Sequence, residues 1–436
     1  MSTSELGSLQ RLIDEQPISR LQWIVFGVCM AMNALDGMDV LVISYAAPLL
    51  ADAWSIPATA LGAVFSAGLV GMTLGAMFIA PYADVIGRRT MILLAIVITG
   101  GGVSATAMAD SLPMLITLRL ISGAGIGAML ASVATLAAEY APDRRRNLIV
   151  GIVLAGYPIG AVLFGLVAAE ILPVFGWQSA FVAAGATTLL SLPLVWWLLP
   201  ESLSFLADAR PKRALERCNE ILAAMGRVTL PALPPQPTTA TRRSVSGLFE
   251  PPTRLATVFL WAAFFMCFAG LYFLTSWIPK LASSAGLPLE LAIYAGAIFN
   301  LGAVFGIATS GVMSQRFGLR YTISGFLGLT GVVMLLFGFA TGSAWTLVLF
   351  GLIGFLLQGG FVGLYVIAAR LYPTVLRTTG VGWAIGAGRT GAIVGPFVGG
   401  LLVAAGFGIA ANFRWFAIAL LLAAVFTLRI RSDQVS

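Results

Sequence analysis

The chain has 436 residues, of which 59% are hydrophobic and 10% charged, with a mean hydropathy of +0.96. A soluble globular chain carries about 25% charged residues, so a soluble domain is excluded, and apolar runs of ~20 residues suit membrane-spanning helices rather than alternating barrel strands. The net charge of +7 would suit nucleic acid in a soluble protein; here it fits the excess of Lys and Arg on inner loops, and no nucleic-acid partner is expected.

In chain order, residues 1–17 are polar, with Glu5, Asp14 and Glu15, and lack a cleavable-signal pattern. The first helix is therefore expected to stay in place. Twelve apolar spans follow, at about 21–50, 58–82, 90–109, 112–139, 147–171, 177–199, 254–279, 288–313, 321–340, 344–369, 378–405 and 410–428. The predicted fold class is an all-α integral membrane protein, with a six-helix bundle over 1–199, an inner linker over 200–253 and a second six-helix bundle over 254–436. The linker holds "PKRALERCNEILAAMG", a candidate amphipathic helix, and "TLPALPPQPTTATRRSVSG", which has the composition of an unfolded connector.

Arginines set the expected orientation. Arg88, Arg89, Arg144, Arg145, Arg146, Arg210, Arg213, Arg217, Arg242, Arg243, Arg316, Arg320, Arg370, Arg377, Arg429 and Arg431, with Lys212, fall on one side if the N-terminus is inside. The opposite loops offer Lys280 and Arg414. Both termini are thus expected in the cytoplasm of a cell whose inner membrane holds the chain.

Six spans, a linker and six more spans suggest duplication. "APYADVIGRR" after span two aligns with "GVMSQRFGLR" after span eight, placing Gly87 with Gly318 and Arg89 with Arg320. "LAAEYAPDRRR" after span four aligns with "IAARLYPTVLR" after span ten, placing Glu139 opposite Arg370 and Arg146 opposite Arg377. These charges pair across the pseudo-twofold axis or tie down their own halves.

Charges inside spans mark substrate or ion paths. Asp36 and Asp39 lie about 16 and 19 residues into span one, on one helical face, with Gly37 between them admitting a helix or a ligand. Two such carboxylates do not easily both ionise where water is scarce. An acid that alternates between charged and neutral suits proton coupling; the alternative is an Asp permanently paired with an Arg. The chain has no histidine, so proton chemistry falls to carboxylates. The cysteines, Cys29, Cys218 and Cys267, show no metal-ligand or disulfide spacing, and the two in apolar spans read as packing residues. No metal site or cofactor is expected, the driving force being a proton gradient.

Arg119 lies ~7 residues into span four, at a depth similar to the Asp pair. Glu139 ends that span as a helix-end salt bridge or part of an inner gate, and is counted with Asp36, Asp39 and Arg119 as a candidate for proton coupling. Arg389 lies about 12 residues into span eleven, near the midplane, with no acid nearby in sequence. A lone guanidinium there costs at least ~2.5 kcal/mol, which a substrate carboxylate would relieve by two-pronged binding. Gly386, Gly388 and Gly391 are expected to leave room beside it. Tyr157, Tyr272, Trp277, Tyr365 and Trp383 are candidate rings for stacking on a substrate. The mid-span amides Asn33, Asn300 and Gln358 either bond substrate or join helices.

Ala80 to Arg89 resembles the loop between spans two and three of the major facilitator superfamily, Gly-x-x-x-Asp-Arg-x-Gly-Arg-Arg. Asp84, Gly87, Arg88 and Arg89 match; Ala80 and Val85 depart from it. "RLISGAGIGAML" from Arg119 is similar to the superfamily's span-four motif, and "PESLSFL" from Pro200 to its Pro-Glu-Ser motif. Within the superfamily, "DGMD", "AFFMCFAGLYFLTSWIP" and "YPTVLRTTGVGWAIGAGRTGAIVGP" resemble the aromatic acid:proton symporters.

The resemblance implies a monomeric, non-enzymatic carrier that rocks about a midplane site and imports an aromatic carboxylate with protons. It also implies a cavity lined by spans one and four, so that Asp36 and Asp39 would form a network with Arg119. Asp84, Gly87, Arg88 and Arg89, with Arg370 and Arg377, would latch the inner face. A carrier or exporter of another organic anion is the alternative. An enzyme is disfavoured by the lack of histidine, of a metal-ligand cluster and of a nucleophile–base pair.

Overall fold

The computed structural model describes residues 6–14, 16–234, 245–250, 253–337, 345–372 and 374–430. Among them, 12 helices are long and apolar enough to cross a membrane. They are Arg20–Trp54, Ala58–Ile86, Arg88–Thr106, Leu112–Tyr140, Leu148–Phe175, Trp177–Leu198, Arg254–Ser284, Leu289–Phe317, Leu319–Leu336, Trp345–Leu371, Thr379–Ala404 and Ile409–Arg429, taken below as spans one to twelve. Each overlaps its sequence-predicted counterpart.

Contacts divide the chain into two compact units. The first comprises Met1–Val40, Val70–Gly160 and Phe181–Thr241; the second comprises Leu41–Leu69, Ala161–Ala180 and Arg242–Ser436.

In the first unit, spans one and five cross so closely that a Cβ on Gly37 would lie 2.0 Å from the Tyr157 carbonyl oxygen, and one on Gly160 1.9 Å from that of Ala34. Spans two and four do the same at Gly75 and Gly127. Such small residues let helices approach where lipid supplies no hydrophobic drive. Span five is broken at Ala155, between Arg146–Leu154 and Gly156–Phe175. Pro158 has no N–H to give the Leu154 carbonyl. Asn33, fully buried, supplies the donor instead: its Nδ2 reaches Leu154 O at 2.9 Å and Val153 O at 3.0 Å. The amide thus repairs a helix break.

This unit also includes three short helices, Leu6–Asp14, Leu203–Ala209 and Ala214–Ala224. The last is the predicted amphipathic segment. Its Cys218 and Leu222 pack in one cluster with Leu9 and Ile13 of the first. Burial pushes the Cys218 thiol up to about 11, away from thiolate reactivity. Cys29 and Cys267 are also free and buried.

The second unit repeats the glycine crossings. Span eight meets span ten at Gly306 and Gly354, and span seven meets span eleven at Gly391 and Gly395. Segments 41–69 and 161–180 belong to this unit and bond within it. Ser44 Oγ donates to the carbonyls of Thr275 and Ser276 at 2.8 and 2.9 Å, and Ser66 Oγ to that of Ile393 at 2.7 Å. Lys280 pairs with Asp52 at 2.8 Å.

The loop repeat holds in detail. Gly87 and Gly318 adopt φ/ψ of +96/147° and +82/147°, positive φ that favours glycine. Two residues on, Arg89 donates to the Trp196 carbonyl and lies over that indole; Arg320 donates to the Ile430 carbonyl and lies over Tyr321.

Replacing Asn33 by Ala orphans the Leu154 carbonyl. Asn33→Ala is expected to lower stability by about 1–3 kcal/mol, read as a fall in the midpoint of thermal unfolding in detergent.

Candidate functional site

The first unit holds a buried charge cluster. Asp36 and Asp39 are 1% and 0% exposed. Neither carboxylate oxygen of Asp36 has a hydrogen-bond partner. Asp39 Oδ2 accepts from Thr188 Oγ1 of span six at 2.7 Å, while its Oδ1 is unbonded. Arg119, also buried, donates from Nη1 to the backbone oxygen of Asp39 at 3.5 Å, and its Nε and Nη2 have no partner.

The expected Asp–Arg network is therefore looser than an ion pair. Among the described residues Arg119 makes none of the salt bridges, and its guanidinium lies over the Phe181 ring at 5.3 Å. Gly37 serves the helix crossing, with the Tyr157 backbone against it. Tyr157 itself is half-buried beside that crossing.

Glu139 stands apart from this cluster. It is 20 residues beyond Arg119 on the same helix, ~30 Å along the axis. Its Oε1 pairs with Arg88 Nη1 at 2.8 Å, and its Oε2 accepts from Ser202 Oγ at 2.5 Å. Arg88 also meets Asp84 at 3.3 Å and Ser202 Oγ at 2.8 Å.

Glu201 completes the arrangement. Its Oε1 accepts from the backbone N–H groups of Arg89 and Ser202 at 3.0 and 2.9 Å, and its Oε2 fills the space a Cβ on Gly87 would need. Ser202 caps the Leu203–Ala209 helix by accepting from Phe205 N. The Pro-Glu-Ser stretch is thus the socket for the loop after span two. Glu139 thus groups with Asp84, Gly87, Arg88 and Arg89, the residues expected from the sequence to gate, and the aspartates form a separate cluster.

Of the other gating candidates, Arg370 ends span ten, exposed, and the Arg377 side chain lies outside the described residues. Arg146 pairs with Asp143 at 2.6 Å and donates to the Ala138 carbonyl at 3.1 Å. It therefore ties down its own end of the unit.

The second unit holds Arg389. The residue is half-buried and its Nη1 is buried without a partner. Among the described residues no acid pairs with it. The expected room beside it is absent at two of the three glycines. A Cβ on Gly388 would meet the Phe268 ring at 2.4 Å, and one on Gly391 the Phe265 carbonyl oxygen at 2.1 Å. Only Gly386 borders open space.

Rings gather on this side of span seven. Phe268 stacks on Tyr272 with centroids 6.0 Å apart and meets Phe361 edge-on at 4.8 Å. Tyr365 stands edge-on to Phe264 at 5.2 Å and to Phe361 at 5.4 Å, within electrostatic reach of Arg389. Phe264, Phe268 and Phe361 were not among the sequence candidates. Their signal is the spacing 264, 268, 272, one face of span seven.

Three candidates fall elsewhere. Trp277 is 1% exposed, donates from Nε1 to the Pro396 carbonyl at 2.9 Å and packs edge-on to Phe65. It walls a cavity of about 710 Å³ shared with Asp52 and Lys280. Asn300 is buried and donates to the Gly296 carbonyl of its own helix at 2.9 Å, a packing role. Trp383 is 49% exposed and stacks on Trp261 at 6.0 Å. Gln358 is 9% exposed in span ten, one helical turn or two from Phe361 and Tyr365.

Similarity to known proteins bears on this arrangement. A gallate transporter of Pseudomonas putida is 35% identical over 407 residues, 91% of this chain and 89% of the relative. A 4-hydroxybenzoate transporter of Acinetobacter baylyi is 35% identical over 402 residues, 90% and 88%. The crystal structure of a D-xylose-proton symporter has the same fold, with TM-score 0.71 and 17% identity over 94% of this chain and 98% of that one. The sequence profile described as Major Facilitator Superfamily matches residues 29–309 and 289–435. With twelve spans, repeated glycine crossings and the socketed loop after span two, the chain belongs to the major facilitator superfamily of membrane transporters.

Proposed function

We propose that the protein imports an aromatic carboxylate across the bacterial inner membrane, coupled to protons, with both termini in the cytoplasm. The observation that carries this reading is Arg389: a guanidinium in a span, with a buried unbonded nitrogen, no acid partner among the described residues, and Tyr365 and the Phe268 ring near it. Relatives named for gallate and 4-hydroxybenzoate transport support an aromatic acid as the cargo.

The chemistry divides between the two units. Arg389 takes the substrate carboxylate with two parallel N–H donors. Tyr272, Tyr365 and the phenylalanines between them offer faces and edges to the ring. In the first unit, Asp36 and Asp39 carry the transported proton. Protonating this pair lessens the negative charge near Arg119, whose unbonded Nε and Nη2 then act on another anion. Asp84, Arg88, Glu139 and Glu201 hold the inner loop in place and release it during the cycle. Alternating access by rocking of the halves links these events.

Asp36→Asn and Asp39→Asn are expected to abolish accumulation of labelled 4-hydroxybenzoate driven by a pH gradient in proteoliposomes, while counterflow exchange survives better. Full gradient-driven accumulation in both variants would remove the coupling role. Arg389→Lys, which keeps charge but loses the planar fork, is expected to weaken binding at least about tenfold, read by isothermal calorimetry with 4-hydroxybenzoate; unchanged affinity would take Arg389 out of the site. Arg88→Ala and Glu139→Ala each strand a partly buried charge. The double variant is expected to be no less stable than the worse single one, a coupling on the order of 1–3 kcal/mol in a thermal-unfolding cycle.

A further inference from the structure

Two acids one helical turn apart are not equivalent here. Asp36 has no donor on either oxygen, whereas Asp39 has the Thr188 hydroxyl at 2.7 Å. Thr188 is unusual among threonines inside the spans. Thr106, Thr187, Thr309, Thr330 and Thr427 each turn the hydroxyl back to the carbonyl four residues earlier, at 2.7–2.8 Å. That bond is the local default for a helical threonine. Thr188, fully buried, instead aims its hydroxyl at a carboxylate on another span. Its turn is fixed by Ser191, whose Oγ donates to the Thr188 carbonyl at 2.6 Å where span six breaks.

A hydroxyl proton given to a carboxylate favours its charged form. Arg119 from span four is the charged group that acts on Asp39, and Asp39 in turn acts on Asp36 of its own helix. From span six, among the described residues, the contribution is the Thr188 hydroxyl alone. Arg119 acts on Asp39 and is bonded to its backbone oxygen. Asp36 receives no such compensation.

We propose that Thr188 is a positioning residue that makes Asp39 the standing anion beside Arg119 and leaves Asp36 to load and release the transported proton. The inference rests on the proton-coupling reading of the aspartate pair and deepens it. In each cycle one proton adds to an Asp36 carboxylate oxygen from the outer side and leaves it to the inner side. The Thr188 hydroxyl keeps its own proton throughout. If Asp39 becomes neutral instead, Thr188 is free to return to the carbonyl of Ala184, and the asymmetry of the pair is lost.

The test uses the full chain in proteoliposomes, with labelled 4-hydroxybenzoate as probe. Thr188→Val keeps the shape and removes the hydroxyl; Thr188→Ser keeps the hydroxyl. Losing the donor disfavours the Asp39 anion, so the pair holds its proton to higher pH. The pH midpoint of net uptake is therefore expected to move to the alkaline side by about one unit in Thr188→Val, and to return to the unsubstituted value in Thr188→Ser. A Thr188→Val profile that overlays the unsubstituted one overturns the proposal. So does equal impairment of both variants, which marks a packing role. If Thr188→Val does not fold, Thr188→Ala reads the same shift. Asp36→Asn run in parallel separates the two levels: retained gradient-driven accumulation sinks the coupling reading itself, whereas lost accumulation with an unshifted Thr188→Val profile sinks the role of Thr188 alone.

Discussion

Charge inside hydrocarbon is costly, and the buried ionisable side chains of the spans meet that cost in different ways. The answers differ along the chain. Near the span ends, charges are matched: Glu139 faces Arg88 at 2.8 Å with Ser202 bridging them. Deeper, they are left partly open: Asp36 has no donor, Arg119 has two unbonded nitrogens and Arg389 one. Matched pairs fix structure. Unmatched groups hold free energy that a proton or an anion can release, which is what a carrier needs from its binding groups.

The backbone meets the same constraint with different means. Pro158 breaks span five, and Asn33 restores a donor to the freed carbonyl. The Glu201 carboxylate satisfies two backbone N–H groups at the start of span three and of the helix that follows span six. Polar residues that look like substrate ligands in a sequence are therefore often repairs. Asn33 is of this kind, and the Asn300 donor is likewise spent on a carbonyl, that of Gly296 in its own helix.

That distinction explains what the sequence could and could not say. Spans follow from length and apolarity, so all twelve were legible. The loop after span two was legible because Gly87 requires a positive φ and Gly318 repeats it. Arg389, Asp36 and Asp39 were legible because charge in a span is rare. The partners were not. Thr188 looks like any helical threonine until its hydroxyl is seen to leave its own helix. Trp277 reads as a ring near the substrate, but its Nε1 is committed to Pro396. Gly388 and Gly391 read as space because a missing side chain does not say what fills the gap; here Phe268 and the Phe265 backbone do.

The repeat shows how one scaffold acquires two chemistries. Spans one and five cross at Gly37, and the corresponding spans seven and eleven cross at Gly391. In the first half the residues flanking the crossing glycine are acids, Asp36 before it and Asp39 after it. In the second half the residue two places before the glycine is Arg389, on the opposite member of the helix pair. A close crossing excludes lipid and leaves little space for water, so a charge set beside it is desolvated at little further cost in packing. On the proposed reading, placing acids at one crossing and a guanidinium at the other separates proton handling from anion handling while keeping close helix crossings for both. The two halves can then be sensitive to different ligands without either needing a fold of its own, and coupling becomes a matter of which charge is neutralised rather than of which helix is built.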